Sequence, residues 1–148
     1  MQIQRDEHEG VVIFTLAGEM VDHNDYLPLC LGLAQQIEQD RYRIILKLNQ
    51  LSALSDFAVS IIQVEDQCFA EFPSGWLALA GLPKAIRHQH GEAAFHGLCM
   101  APTVAEVLAL KRTVARPLPA FLPDALRQFK EHPRDRYGYQ IVRKPFDT

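Results

Sequence analysis

Three cysteines, a single tryptophan, no excess of basic residues and no long apolar run set the first bounds on this sequence. A membrane-spanning helix needs about 20 consecutive apolar residues, and no stretch here approaches that, so no direct membrane insertion is expected. Cys30, Cys68 and Cys99 are odd in number, far apart and each set among apolar neighbours. That pattern fits reduced, buried thiols in a cytoplasmic protein better than a disulfide framework. Lys and Arg number 15 against 18 Asp and Glu, and the basic residues are scattered apart from a loose group at Arg134, Arg136, Arg143 and Lys144. The electrostatic footprint of a nucleic-acid binder is missing. The opening MQIQRDEHEG is polar and acidic and has no apolar core, so it does not read as a signal peptide. No internal repeat and no low-complexity segment is visible. Nucleophile elbows, phosphate loops and dinucleotide fingerprints are absent, and nothing places the serines, histidines and carboxylates as a triad. Neither an enzyme nor a cofactor is expected.

What is present is a core-forming chain. At 148 residues and 48% hydrophobic it supports one ordinary globular core and not two. Gln2 to Arg5 reads as a short strand, and Gly10 turns the chain into Val11 to Gly18, a β-branched run expected in a mostly buried strand. Beyond it the period changes. Tyr26, Cys30, Leu33 and Ile37 recur at helical spacing, with Asp25 the expected N-cap and Pro28 in the first turn.

Arg43 to Asn49 makes a second buried strand, and a helix capped by Ser55 or Asp56 follows. Its apolar stripe is Phe57, Ile61, Val64, Cys68 and Phe72, stopped by Pro73-Ser74-Gly75. Trp76 to Leu82 is a third strand, Pro83 opens a helix reaching His90, Leu98 to Ala101 is a short strand, and Val104 to Lys111 is a last helix. Alternation of this kind predicts an α/β mixed sheet of about four to five strands with about four helices, parallel except for a first hairpin at one edge.

The order of elements and four segments resemble the STAS domain of bacterial anti-sigma-factor antagonists over residues 2–112, leaving 113–148 as a C-terminal extension. LAGEMVD (Leu16 to Asp22) is similar to that family's L-T-G-E-L-D with one residue added. LKLNQLSALSDFAVSII (Leu46 to Ile62) matches its strand-loop-helix without a gap. WLALAGLPKAI and LCMAPTVAEVLAL correspond in type to its later strand-helix pairs.

The resemblance implies a protein-binding regulatory module in partner switching, with an anti-sigma-type serine kinase or related regulator as partner. The partner site it implies is Asp22, His23 and Asn24 with Ser55, Asp56, Phe57 and Ser60. In that register the family's Asp-Ser-Ser-Gly turn is here Ser55-Asp56-Phe57-Ala58, so Asp56 stands where the family carries its phosphorylated serine.

Asp56 cannot accept phosphate, but it places a fixed charge at a helix N-terminus, where an anion gains about 0.3–1 kcal/mol. A carboxylate is an imperfect mimic, with less charge and fewer acceptor oxygens than a phosphate. A switch locked in one state is one reading. Plain helix capping by Ser or Asp is another, and phosphorylation of Ser55 after a one-residue slip is the third. Phe57 is expected on the core side as the first residue of its stripe. Turned outward, it would block or anchor a partner. A constitutive scaffold or accessory subunit, as in membrane-transport assemblies that carry STAS domains, is the alternative function.

His88, His90 and His96 with Cys99 invite comparison with a metal site, but their spacing matches no zinc motif. On one helix His88 and His90 point about 200° apart, so ordinary, partly exposed histidines are expected. Helix capping accounts for Asp22 to Asp25. In the extension, Pro117, Pro119 and Pro123 predict a linker, Asp124 to Glu131 a short helix and Tyr137 to Val142 a strand. Such a strand would cover the domain's own surface, exchange in a homodimer or dock a partner.

Overall fold

Why the sheet forms is clearest at its centre. Ile44, Ile45 and Leu46 are each 0% exposed, a continuous apolar run of the kind a strand needs when helices cover both of its faces. In the computed structural model, which describes residues 1–112, this run belongs to the middle strand of five. The strands are β1 (Gln2–His8), β2 (Val11–Met20), β3 (Arg43–Leu54), β4 (Trp76–Ala80) and β5 (Cys99–Ala101), and they lie side by side in chain order. β1 and β2 form the antiparallel edge hairpin; every other neighbouring pair is parallel. The connections are α1 (His23–Glu38), α2 (Asp56–Glu71) and α3 (Lys84–His90) with a 3-10 turn at Glu92–Phe95, and α4 (Val104–Arg112) follows β5. This mixed sheet with four helices is the α/β architecture the periodicity predicted. The expected linker, helix 124–131 and strand 137–142 lie outside the described residues.

Alternation along the strands divides the core. Phe14, Leu16, Leu46, Leu48, Leu77 and Leu79 pack with α1, α2 and α3 on one face. Val11, Ile45, Ala78 and Ala80 pack with Val107 of α4 on the other. Among the described residues, no helix is long and apolar enough to cross a membrane.

Three expectations need correction, and all three concern the end of the sheet that carries the two turn motifs. The predicted strands stop at Gly18 and Asn49, yet β2 runs to Met20 and β3 to Leu54. The two strands remain paired past the end of β4, with register shifts between Thr15 and Ala17 and between Gly18 and Glu19. At each shift β3 carries one residue more than β2, which is the bulge geometry that bends a ribbon and increases its twist. Gly18 takes φ +99 at this point, a conformation that side-chain-bearing residues rarely adopt.

The N-cap of α1 is Asp22, not Asp25; Asp25 is the third helical residue and completes a capping box with Asp22. The helix therefore starts earlier, and Pro28 lies in its interior rather than in its first turn. Along α2 the buried side chains are Ala58, Val59, Ile61, Ile62, Glu65, Cys68 and Phe69. Phe57, expected in the core, is 54% exposed. The helix is rotated so that Glu65, not Val64, lies on its buried side.

Candidate functional site

The prolonged β2–β3 ribbon delivers two helix N-termini to the same place. The backbone N–H of Ser55 donates to the Met20 carbonyl at 3.0 Å, and the Ser55 hydroxyl donates to the Val21 carbonyl at 2.6 Å. The start of α2 is thereby tied to the loop that starts α1, and the two predicted segments, Asp22-His23-Asn24 and Ser55 to Ser60, become neighbours.

Each helix start is capped by the residue type the position calls for. Ser55 is extended (φ −79, ψ 162) and its Oγ accepts the Ala58 N–H at 3.1 Å. The sequence left Ser55 and Asp56 as alternatives for this cap; Ser55 takes it. Asp22 Oδ1 accepts the Asp25 N–H at 3.1 Å, while Asp25 Oδ2 accepts from Val21 at 3.0 Å and from Asp22 at 3.1 Å. Hydrogen bonds from the backbone of Asp22 and then of Val21 hold the Asp25 carboxyl below its ordinary range. Asn24 is exposed beside it. Ser60, also exposed, donates its hydroxyl to the Asp56 carbonyl at 3.2 Å.

A row of rings crosses the gap between the helices. His23 packs edge-on against Tyr26 with centroids 5.6 Å apart, and Tyr26 meets Phe57 at 5.8 Å. Tyr26 is buried; burial first, then the nearby Cys30 and Asp22, raises its phenol above the ordinary value. The Nδ1 of His23 is buried with no hydrogen-bond partner among the described residues. Phe57 covers Tyr26 with one side and faces solvent with the other, and Val21 is also 43% exposed. The result is a small apolar platform next to the Asp56 carboxylate, whose side chain is 98% exposed.

His90 is the site residue that sequence reasoning missed. Expected to be ordinary and partly exposed, it is half-buried as a residue, but its side chain is only 4% exposed, with Nδ1 2.7 Å from Asp56 Oδ1 and Nε2 against the Leu54 carbonyl. Its ring meets Phe95 edge-on at 6.0 Å. No local signal marks it, because the partner is 34 residues away in the chain. His88 and His96 are exposed and take no part. Among the described residues no three His, Cys, Asp or Glu side chains gather as a metal site. Because Nε2 faces a backbone carbonyl and not a hydroxyl, the Asp56–His90 pair activates no serine. What this arrangement offers chemically is a shape with a charge: two capped helix ends, an aromatic platform and one exposed carboxylate.

Comparison with known proteins agrees with this architecture. No family model and no curated protein matches the chain. Several solved structures do. A Thermotoga maritima protein described as a candidate anti-sigma factor antagonist superposes with a TM-score of 0.64 at 15% identity, over 74% of this chain and 94% of its own. An anti-sigma factor antagonist from Mycobacterium paratuberculosis gives 0.61 at 15%, over 75% and 93%. The Bacillus cell fate determinant SpoIIAA in its phosphorylated form gives 0.53 at 22%, over 76% and 99%. The chain has the STAS-like fold of the anti-sigma factor antagonists.

Proposed function

With that fold as the frame, we propose that this chain is a cytoplasmic, non-enzymatic protein-binding module of a bacterial partner-switching system. In this reading its docking surface is the end of the sheet where Asp22, His23 and Asn24 meet Ser55, Asp56, Phe57 and Ser60, and its partner is an anti-sigma-type serine kinase or related regulator. The observation that carries the proposal is Phe57. At a helix N-terminus and beside a carboxylate 98% exposed, Phe57 covers Tyr26 with one side yet remains 54% exposed. Exposed aromatic side chains of this kind are typical anchors at protein interfaces.

The turn is not reversibly phosphorylated in this proposal. Asp56 stands at the position that the resemblance gives to the acceptor. The Ser55 hydroxyl supports the same view from the other side, since it both accepts from Ala58 and donates to Val21. A phosphate on Ser55 would have to give up the bond to Val21, having no proton to donate. That engagement also favours the second reading, a constitutive accessory subunit whose turn docks permanently.

Incubation with a serine kinase of the anti-sigma type and ATP, followed by intact mass and by binding measurement, tests the proposal. Binding that is insensitive to ATP, with no added mass, is the expected result. One phosphate that Ser55→Ala abolishes would overturn the unphosphorylated state. Absence of binding to any such kinase, together with copurification on a transporter's ATPase subunit, would replace the leading reading by the accessory one.

A further inference from the structure

Both nitrogens of the His90 ring face hydrogen-bond acceptors: the Asp56 carboxylate on Nδ1 and the Leu54 carbonyl on Nε2. A neutral imidazole carries one N–H and can satisfy only one of them; the imidazolium carries two. We infer that His90 and Asp56 form a proton-operated latch that sets the charge of the α2 N-terminus.

With both nitrogens protonated, His90 bridges β3 and α2 and its positive charge offsets the Asp56 carboxylate. When one proton leaves to water, the ring keeps the other and one contact must go. The geometry decides which. Leu54 presents a backbone carbonyl in a partly buried position, whereas the Asp56 side chain is 98% exposed and can turn to water at little cost. A carbonyl left unpaired away from solvent is the more expensive loss. Neutral His90 therefore keeps its proton on Nε2 and releases Asp56, and the turn becomes one unit more negative.

Among the described residues, contacts to the His90 ring come from three elements. α2 presents Asp56, β3 presents the Leu54 carbonyl, and the 3-10 turn presents the Phe95 ring edge. Glu92 of that turn is occupied with Arg87 of α3. In the neighbouring loop, Asp22 and Asp25 accept backbone N–H groups. The Gln63 amide of α2 donates to the Ala94 carbonyl at 2.6 Å, a separate tie between α2 and the 3-10 turn that follows α3.

As regulation of the docking surface, the latch rests on the proposed function, but its test does not. The full chain, labelled with 15N and 13C, is titrated from about pH 5 to 9 by NMR. The Asp56 carboxyl carbon is expected to inflect together with the His90 ring, and His90→Gln to abolish that inflection. An Asp56 signal flat over the range, or one that still inflects in His90→Gln, overturns the latch. Should that variant fail to fold, the wild-type ring decides. Above the transition its proton must sit on Nε2, and a proton on Nδ1 overturns the proposal. Because no partner is present, co-titration without kinase binding removes only the docking reading, and kinase binding without co-titration removes only the latch.

Discussion

The Ser55 hydroxyl lies 2.6 Å from the Val21 carbonyl and donates to it, while accepting the Ala58 N–H at 3.1 Å. One small side chain thus caps α2 and fastens it to the start of α1. Replacing an N-cap serine by alanine typically costs about 1 kcal/mol, and here a second hydrogen bond goes with it. Ser55→Ala is expected to lower stability by about 1–2 kcal/mol in urea unfolding, at an unchanged m-value. A loss no larger than that of Ser60→Ala would show that the tie to Val21 contributes nothing.

Phe57 and Phe69 share a helix but differ in role, being 54% and 0% exposed. Phe69→Ala is expected to cost about 3–5 kcal/mol, as a fully buried aromatic truncated to a cavity. Phe57→Ala should cost less than about 1 kcal/mol in the isolated chain, yet weaken partner binding by about tenfold or more as a lost anchor. Thermal unfolding and calorimetric binding separate the two effects. Comparable destabilisation by both variants would return Phe57 to the core.

Acid unfolding should report Asp25. Its carboxyl is held below the ordinary value by the Asp22 and Val21 N–H groups, so the folded chain binds this proton less readily than the unfolded one. Its contribution is fully present above the unfolded pKa of about 3.9 and is lost as pH falls through the folded value. Asp25→Asn removes that titration, and its stability should depend less steeply on pH below about 4. An identical acid slope in the variant would mean that the capping box carries no linkage.

Much of the fold was legible in the chain because the deciding forces are local. The run Ile44 to Leu46 reads as a strand covered on both faces, and it is one. Ser55 reads as a helix start because an N-cap hydrogen bond spans only three residues, and Ser55 caps. The stripe of α2 was misjudged for a definite reason. Phe57, Ile61, Val64 and Cys68 form an all-apolar line at helical spacing, while the line actually buried includes Glu65 at 2% exposure. A polar residue on the buried side conceals the true orientation from any hydrophobic pattern. The α1 cap was misplaced because Asp22 and Asp25 are both good caps in isolation. Only their reciprocal bonds show that Asp22 is the cap and Asp25 its partner in the box.

By itself the sequence determined the alternation of strands and helices, the edge hairpin, and the serine and acidic residues at the two helix starts. These follow from side-chain periodicity and from hydrogen bonds that close within one turn. The tertiary structure decided what those residues meet. Phe57 stands on the surface because α2 turns its Ala58–Phe69 side to the sheet. Asp22 lies near Ser55 because β2 and β3 stay paired beyond β4. Asp56 meets His90 because α3 returns to the same end of the sheet, a juxtaposition across 34 residues that register and packing create and no local pattern encodes.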